Sequence, residues 1–244
     1  MRKLLLFIAL IALCSYDTVH FNYLPTSNGE VVSHAYYTIS YIEEYEQAEW
    51  VAYELGSSNM NGLVKRISYF TLDGSVSTGS ASTNDYTGSG YDRGHLCPAA
   101  DMQINEASIK ESFLMSNVSP QHPSFNRGKW KQLETDIRDW ALDCNHLYIV
   151  TGPAFIDSIG VIGENEVEIP SHFYKVVFDY TDPGYKMIGF LMPNGKYDET
   201  YKDFVVTVDS VESVTNIDFF HHLPDDLEDE LENYTNYELW NKQK

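Results

Sequence analysis

Tyr91-Asp92-Arg93-Gly94-His95-Leu96-Cys97-Pro98-Ala99-Ala100-Asp101-Met102 sets an imidazole next to a guanidinium with a glycine between them. Glycine removes side-chain bulk where a backbone must approach a substrate closely. Histidine, whose ordinary pKa is near about 6.5, accepts a proton from water at neutral pH, which makes His95 a candidate general base. Downstream, Asn117-Val118-Ser119-Pro120-Gln121 and Asn126-Arg127-Gly128-Lys129-Trp130 bring amide oxygens to the start of a helical pattern. An amide oxygen such as that of Asn126 is a neutral ligand that a hard cation such as Mg²⁺ accepts while keeping most of its waters. Glu134, two turns on, is placed to hydrogen-bond those waters. Arg138 beside it and Arg66, in Lys65-Arg66-Ile67-Ser68, are suited to gripping phosphate oxygens bidentately. A base, a cation and donors for phosphoryl oxygens are what phosphodiester hydrolysis requires.

Outward from this stretch, residues 124–142 carry a helical period. Trp130, Leu133, Ile137, Trp140 and Ala141 share one face, and Glu134 and Arg138 lie along its edge, half buried and able to line a cleft. A plain i,i+4 surface bridge between those two is the blander alternative, as is a helix-capping role for Asn126. Aromatic and β-branched runs predict strands at 36–42, 50–55, 147–150, 173–178 and 187–191. Between 73 and 90 the density of Gly, Ser, Thr, Asp and Asn predicts a long exposed loop. No internal repeat is visible.

The motif from Tyr91 to Met102, followed by Ser116-Asn117-Val118-Ser119-Pro120-Gln121 and by Asn126 to Glu134, resembles the DNA/RNA non-specific endonuclease family of the ββα-metal (His-Me finger) superfamily. The likeness extends from about Tyr36 to roughly Val208. It implies an α+β fold with a central antiparallel sheet flanked by helices, in which a hairpin bearing His95 packs against the helix bearing Asn126. It also implies His95 as base, Asn126 as direct Mg²⁺ ligand (or Mn²⁺ in its place), Glu134 as partner of metal-bound water, and Arg66, Arg93 and Arg138 as phosphate or transition-state contacts, Arg93 with a structural option. The substrates implied are DNA and RNA, cut with little sequence preference to 5′-phosphate products. Cys97, where the family commonly has a small residue, is a departure.

A second departure is the charge. Sixteen basic and thirty-six acidic residues give −20, which repels a polyanion at long range, so a phosphate site must be a local cluster of Arg and Lys. At 244 residues, 43% of them hydrophobic, the chain has room for one domain with a sizeable core. Met1-Arg2-Lys3 and the apolar run from Leu4 to Leu13 have the pattern of an export signal, too short to span a bilayer comfortably. The expected organisation is a signal at 1–14, cleaved near Cys14 or lipidated on it, an N-terminal arm at 15–33, the nuclease domain at 34–222 and an acidic tail at 223–244. Secretion, a periplasmic location or the cell surface follows, with no transmembrane span; oligomeric state stays open, a homodimer included. The tail reads as solvated, helical or disordered. Export permits a Cys97–Cys144 disulfide, which the sequence leaves open. A zinc-stabilised module built on His95, Cys97, Cys144 and His146, and a nucleic-acid binder without catalysis, are the rival readings. Asn117-Val118-Ser119 and Asn233-Tyr234-Thr235 are formal glycosylation acceptors.

Overall fold

The computed structural model describes residues 22–240 apart from 58, 60, 61, 145, 158, 182 and 183, so the export signal and Cys14 lie outside the described residues. In chain order the strands are β1 (Glu30–Ser33), β2 (Thr38–Ile42), β3 (Gln47–Gly56), β4 (Asp92–His95), β5 (Val118–Gln121), β6 (His146–Ala154), β7 (Val161–Ile162), β8 (Val167–Glu168), β9 (His172–Asp179), β10 (Lys186–Pro193) and β11 (Val205–Val206). The α-helices are α1 (Glu106–Glu111), α2 (Lys131–Cys144), α3 (Val208–Thr215) and α4 (Asp225–Glu232). Seven strands in the order β1-β2-β3-β6-β9-β10-β11 form a central sheet whose neighbours all pair antiparallel. This is the α+β architecture expected above, and the five anticipated strands are β2, β3, β6, β9 and β10.

Side-chain alternation along β3 explains why helices cover both faces. Val51, Tyr53 and Leu55 join Leu133, Ile137, Trp140 and Ala141 of α2 in one layer, while Trp50 and Ala52 join Val208, Val211 and Phe219 in the other. Each fully buried side chain of this kind contributes roughly 1.5–3 kcal/mol, so the stripe on α2 anchors the helix firmly to the sheet. The ribbon β4-β5 stands outside the central sheet.

Two expectations change. The acidic segment from 223 is helical, with Asp225, Asp226, Asp229 and Glu230 exposed, as the solvated-helix expectation has it. It is nevertheless docked on the domain and is no detached tail where it is described. Leu227 and Leu231 of α4 pack against the second layer, and Leu223 and Trp240 are buried. Its leucines, diluted among carboxylates, give a short apolar stripe that charge counting hides. The loop 73–90 contains neither helix nor strand, but Val76, Ala81 and Tyr86 are buried.

Asp73 pins the start of that loop. His34 Nε2 lies 3.0 Å from its Oδ2, the Ser116 hydroxyl donates to the same oxygen, and Ser75 N donates to Oδ1 at 2.9 Å. Burial pushes this acid upward, but the bonds from His34, Ser116 and Ser75 outweigh it and hold it at about 2, below the ordinary 3.8. A depressed carboxylate stabilises the fold above its unfolded pKa and loses that contribution as pH falls through the folded value. Asp73→Asn should therefore lower stability at neutral pH by about 2 kcal/mol and flatten the acid-side loss between roughly pH 4 and 2. Urea unfolding across that range checks it, and an unchanged slope would contradict the assignment.

Candidate active site

The ribbon pairs Asp92 with Gln121, Arg93 with Pro120, Gly94 with Ser119 and His95 with Val118. A Cβ on Gly94 would come within 2.2 Å of the Gln121 side chain. The glycine thus answers to the neighbouring strand rather than to a substrate. Beyond His95, the side chain of buried Asn117 holds the backbone: Cys97 N donates to its Oδ1 at 2.8 Å, and its Nδ2 donates to Cys97 O and Ser112 O. Asn117 is 0% exposed, which removes it as a glycosylation acceptor in the folded protein.

The His95 ring meets Phe113 edge-on at 4.7 Å and Phe70 at 5.2 Å. Its Nε2 is buried and has no hydrogen-bond partner. Burial, and then the charge of Arg66, drive the imidazole down to about 3. The ring is neutral at physiological pH and can accept a proton.

Asn126 sits in a wide helical turn, Phe125–Trp130, that breaks at Gly128 (φ −109, ψ −107) before α2 begins. The sequence predicts one helix from 124. An ordinary α-turn, at roughly 100° per residue, would splay Phe125 and Trp130 apart, whereas the wider turn lets both pack against Phe173. The Asn126 amide nitrogen donates to Asp92 Oδ2 at 2.9 Å, and Arg127 Nε donates to the same oxygen at 2.8 Å. The nitrogen being committed, Oδ1 is the atom available to a cation. Asp92 was quoted in the motif without a role, because nothing in the spacing signals a contact 34 residues away.

Glu134 lies on α2 above a fully buried lysine, Lys175 of β9. Burial raises Glu134 to about 7, against the opposing pull of Lys175, with Asp101 raising it further. Lys175 Nζ has no hydrogen-bond partner and rests 4.8 Å over the Trp130 ring. Its visible signal was one lysine inside the apolar run 173–178. Arg138 does not form the i,i+4 bridge with Glu134; its Nη1 donates to buried Asp101 at 2.8 Å, where Tyr53 OH also donates at 3.0 Å. The Arg66 guanidinium lies 5.1 Å over Phe113, and Arg93 Nη2 donates to Thr83 O at 2.7 Å, tying the ribbon to the 73–90 loop.

His95, Asn126, Glu134, Arg66, Arg93 and Arg138 all line one cleft of about 450 Å³, together with Arg127 and Lys131. Five of the sixteen basic residues face it, the local cluster that an acidic chain needs to hold phosphate. Oxygen donors from Asn126 and Glu134 suit a hydrated hard cation. The zinc alternative fails: among the described residues the one group of three close Cys, His or acidic ligands is Asp209, Glu212 and Glu232, and the buried Cys97 and Cys144 form no disulfide with each other.

A neutral imidazole facing a ring of guanidinium groups, at the rim of a strand pair backed by a helix, is the arrangement of a phosphodiester hydrolase. The chain belongs to the DNA/RNA non-specific endonuclease family, whose sequence profile matches residues 17–226. It is 32% identical to mitochondrial endonuclease G of Bos taurus over 78% of this chain and 69% of that protein. A nuclease of Nostoc sp. is 31% identical over 86% and 78% of the two chains, and nuclease C1 of Cunninghamella echinulata var. echinulata 31% over 82% and 86%. The crystal structure of an EndoG/EndoGI complex superposes with a TM-score of 0.76 at 30% identity, covering 81% of this chain and 88% of that one.

Proposed function

We propose that this nuclease is an exported, divalent-metal-dependent endonuclease that cuts both DNA and RNA with little sequence preference and leaves 5′ phosphates. The observation that carries the reading is the convergence of His95 and Asn126, 31 positions apart in sequence, on one basic cleft with Glu134. His95, which lines the cleft, takes a proton from the attacking water. Arg66 and Arg138 orient the phosphate and gain strength as charge builds on its oxygens, while Arg93 both faces the cleft and braces the ribbon. Asp92 keeps the Asn126 oxygen turned outward. A hydrated Mg²⁺, or Mn²⁺ in its place, held by Asn126 with Glu134 bonded to its water, supplies positive charge at the leaving oxygen. Contacts to the nucleic-acid backbone carry no base information, which supports the broad substrate range.

Digestion of circular single-stranded DNA, duplex DNA and RNA tests the reading. Wild type should cut all three with Mg²⁺ and none with EDTA, and Asn126→Ala should lose roughly 100-fold or more in rate at fixed Mg²⁺. Cleavage that persists in EDTA, or a fully active Asn126→Ala protein, would exclude it. Export rests on the basic start and the apolar run before Cys14. The bovine relative is named mitochondrial. Mass spectrometry of the mature N-terminus and of Cys14 separates cleavage, lipidation and organellar import.

A further inference from the structure

We propose that Asp209, Glu212 and Glu232 form a calcium site that clips α4 onto α3, on the face of the central sheet opposite the nuclease cleft. One carboxylate oxygen from each lies within 4.8 Å of the others. Two oxygens bound to the same Ca²⁺, each at about 2.3–2.6 Å, can be no more than about 5 Å apart, so the three lie within reach of one ion given a small side-chain adjustment. Asp209 and Glu212 project from α3, and Glu232 closes the set from the last turn of α4.

Proximity of carboxylates alone is common, and the weight falls on Glu232. It is only 5% exposed, and its Oε1 is buried without a hydrogen-bond partner. A buried carboxylate is paired, neutralised or metal-bound, because taking a bare charge out of water is expensive. Among the described residues no Lys, Arg or His forms an ion pair with it. The charged groups that act on Glu232 most strongly are Glu212, Glu228, Asp209 and Asp218, all acids. From Lys202 to Lys242 the intervening chain carries eleven acids and no Lys or Arg. A cation from solution would supply the missing positive charge.

The oxygen-only ligand set selects a hard cation, and the flexible geometry of three monodentate carboxylates plus waters suits Ca²⁺ better than the strict octahedron of Mg²⁺. Glu212 is already fixed, since its Oε1 accepts from Phe219 N at 2.8 Å, and exposed Asp209 opens the site to solvent water. The role is structural. Leu227 and Leu231 hold α4 by apolar contact, and the ion fastens its far end against mutual repulsion.

Thermal unfolding of the full-length protein in EDTA and in calcium chloride decides the matter, with Asn126→Ala and Glu232→Gln measured beside wild type. Calcium near a hundred times its dissociation constant should raise Tm by about 5 °C or more. The rise should survive Asn126→Ala, which removes the cleft ligand, and vanish in Glu232→Gln. No rise in wild type, a rise retained by Glu232→Gln, or one abolished by Asn126→Ala would each overturn the proposal; the first would mean that a shared proton neutralises the cluster. If Glu232→Gln fails to fold, Asp209→Asn serves in its place, as its side chain is exposed. Calcium titration should then give roughly tenfold weaker binding, and wild-type affinity would overturn the site.

Discussion

His95→Ala should cut the rate of DNA and RNA hydrolysis by roughly 10²–10⁴-fold, the usual contribution of a positioned base, and leave the protein folded. The imidazole is buried between Phe70 and Phe113, and its Nε2 makes no hydrogen bond. Its removal breaks no polar contact at that atom, so the stability loss is limited to the packing of a small ring. Burial and Arg66 keep the ring unprotonated, which is the state a base needs and a poor state for binding phosphate. The loss should accordingly appear in kcat far more than in KM. Steady-state rates on duplex DNA, with circular dichroism to confirm folding, provide the check. A variant within tenfold of wild type would remove His95 from the mechanism.

Lys175→Met should destabilise the protein by about 3–5 kcal/mol at pH 8 and by clearly less at pH 5. The lysine is the buried cation facing Glu134 and Asp101, and Asp101 keeps the Arg138 ion pair and the Tyr53 hydroxyl once it is gone. Glu134 can escape the burial cost by taking a proton. Already near 7 with the lysine present, its pKa must rise when that favourable charge is lost. A carboxylate raised in the folded state gives stability below its unfolded pKa and loses it as pH rises. Wild type and variant share that loss up to about 7, so the extra penalty opens near 7 and grows as pH rises above it. Urea unfolding at three pH values tests the slope, and an equal loss at each would refute the pairing. Adding Glu134→Gln to the lysine variant should recover much of the deficit at pH 8, a coupling that a cavity alone would not produce.

How much of this was visible beforehand depended on the range of the interaction. The catalytic candidates are carried by short motifs, and all six converge on one cleft because the ribbon and the wide turn that bear three of them are tied together by Asp92. The strands were legible since aromatic and β-branched runs mark buried backbone. Lys175 was not, because a strand buried on both faces hides which residue points toward the helix until the register is known. The turn ahead of α2 escaped for a related reason. Periodicity reports that Phe125 and Trp130 are apolar, while the shared partner Phe173 comes from a strand nearly fifty residues later. Charge counting misled at the C-terminus, where the leucines of α4 outweigh its acids in deciding where the helix lies.

The contact between Gly94 and Gln121 makes those two positions a single unit of inheritance. Any side chain introduced at the first collides with the second, one residue from the base, and enlarging Gly94 is tolerable only if the side chain at 121 shortens. Random mutagenesis of the motif should therefore recover replacements of Gly94 only together with a shorter residue at 121. The room allotted to the base is shared between two strands and belongs to neither.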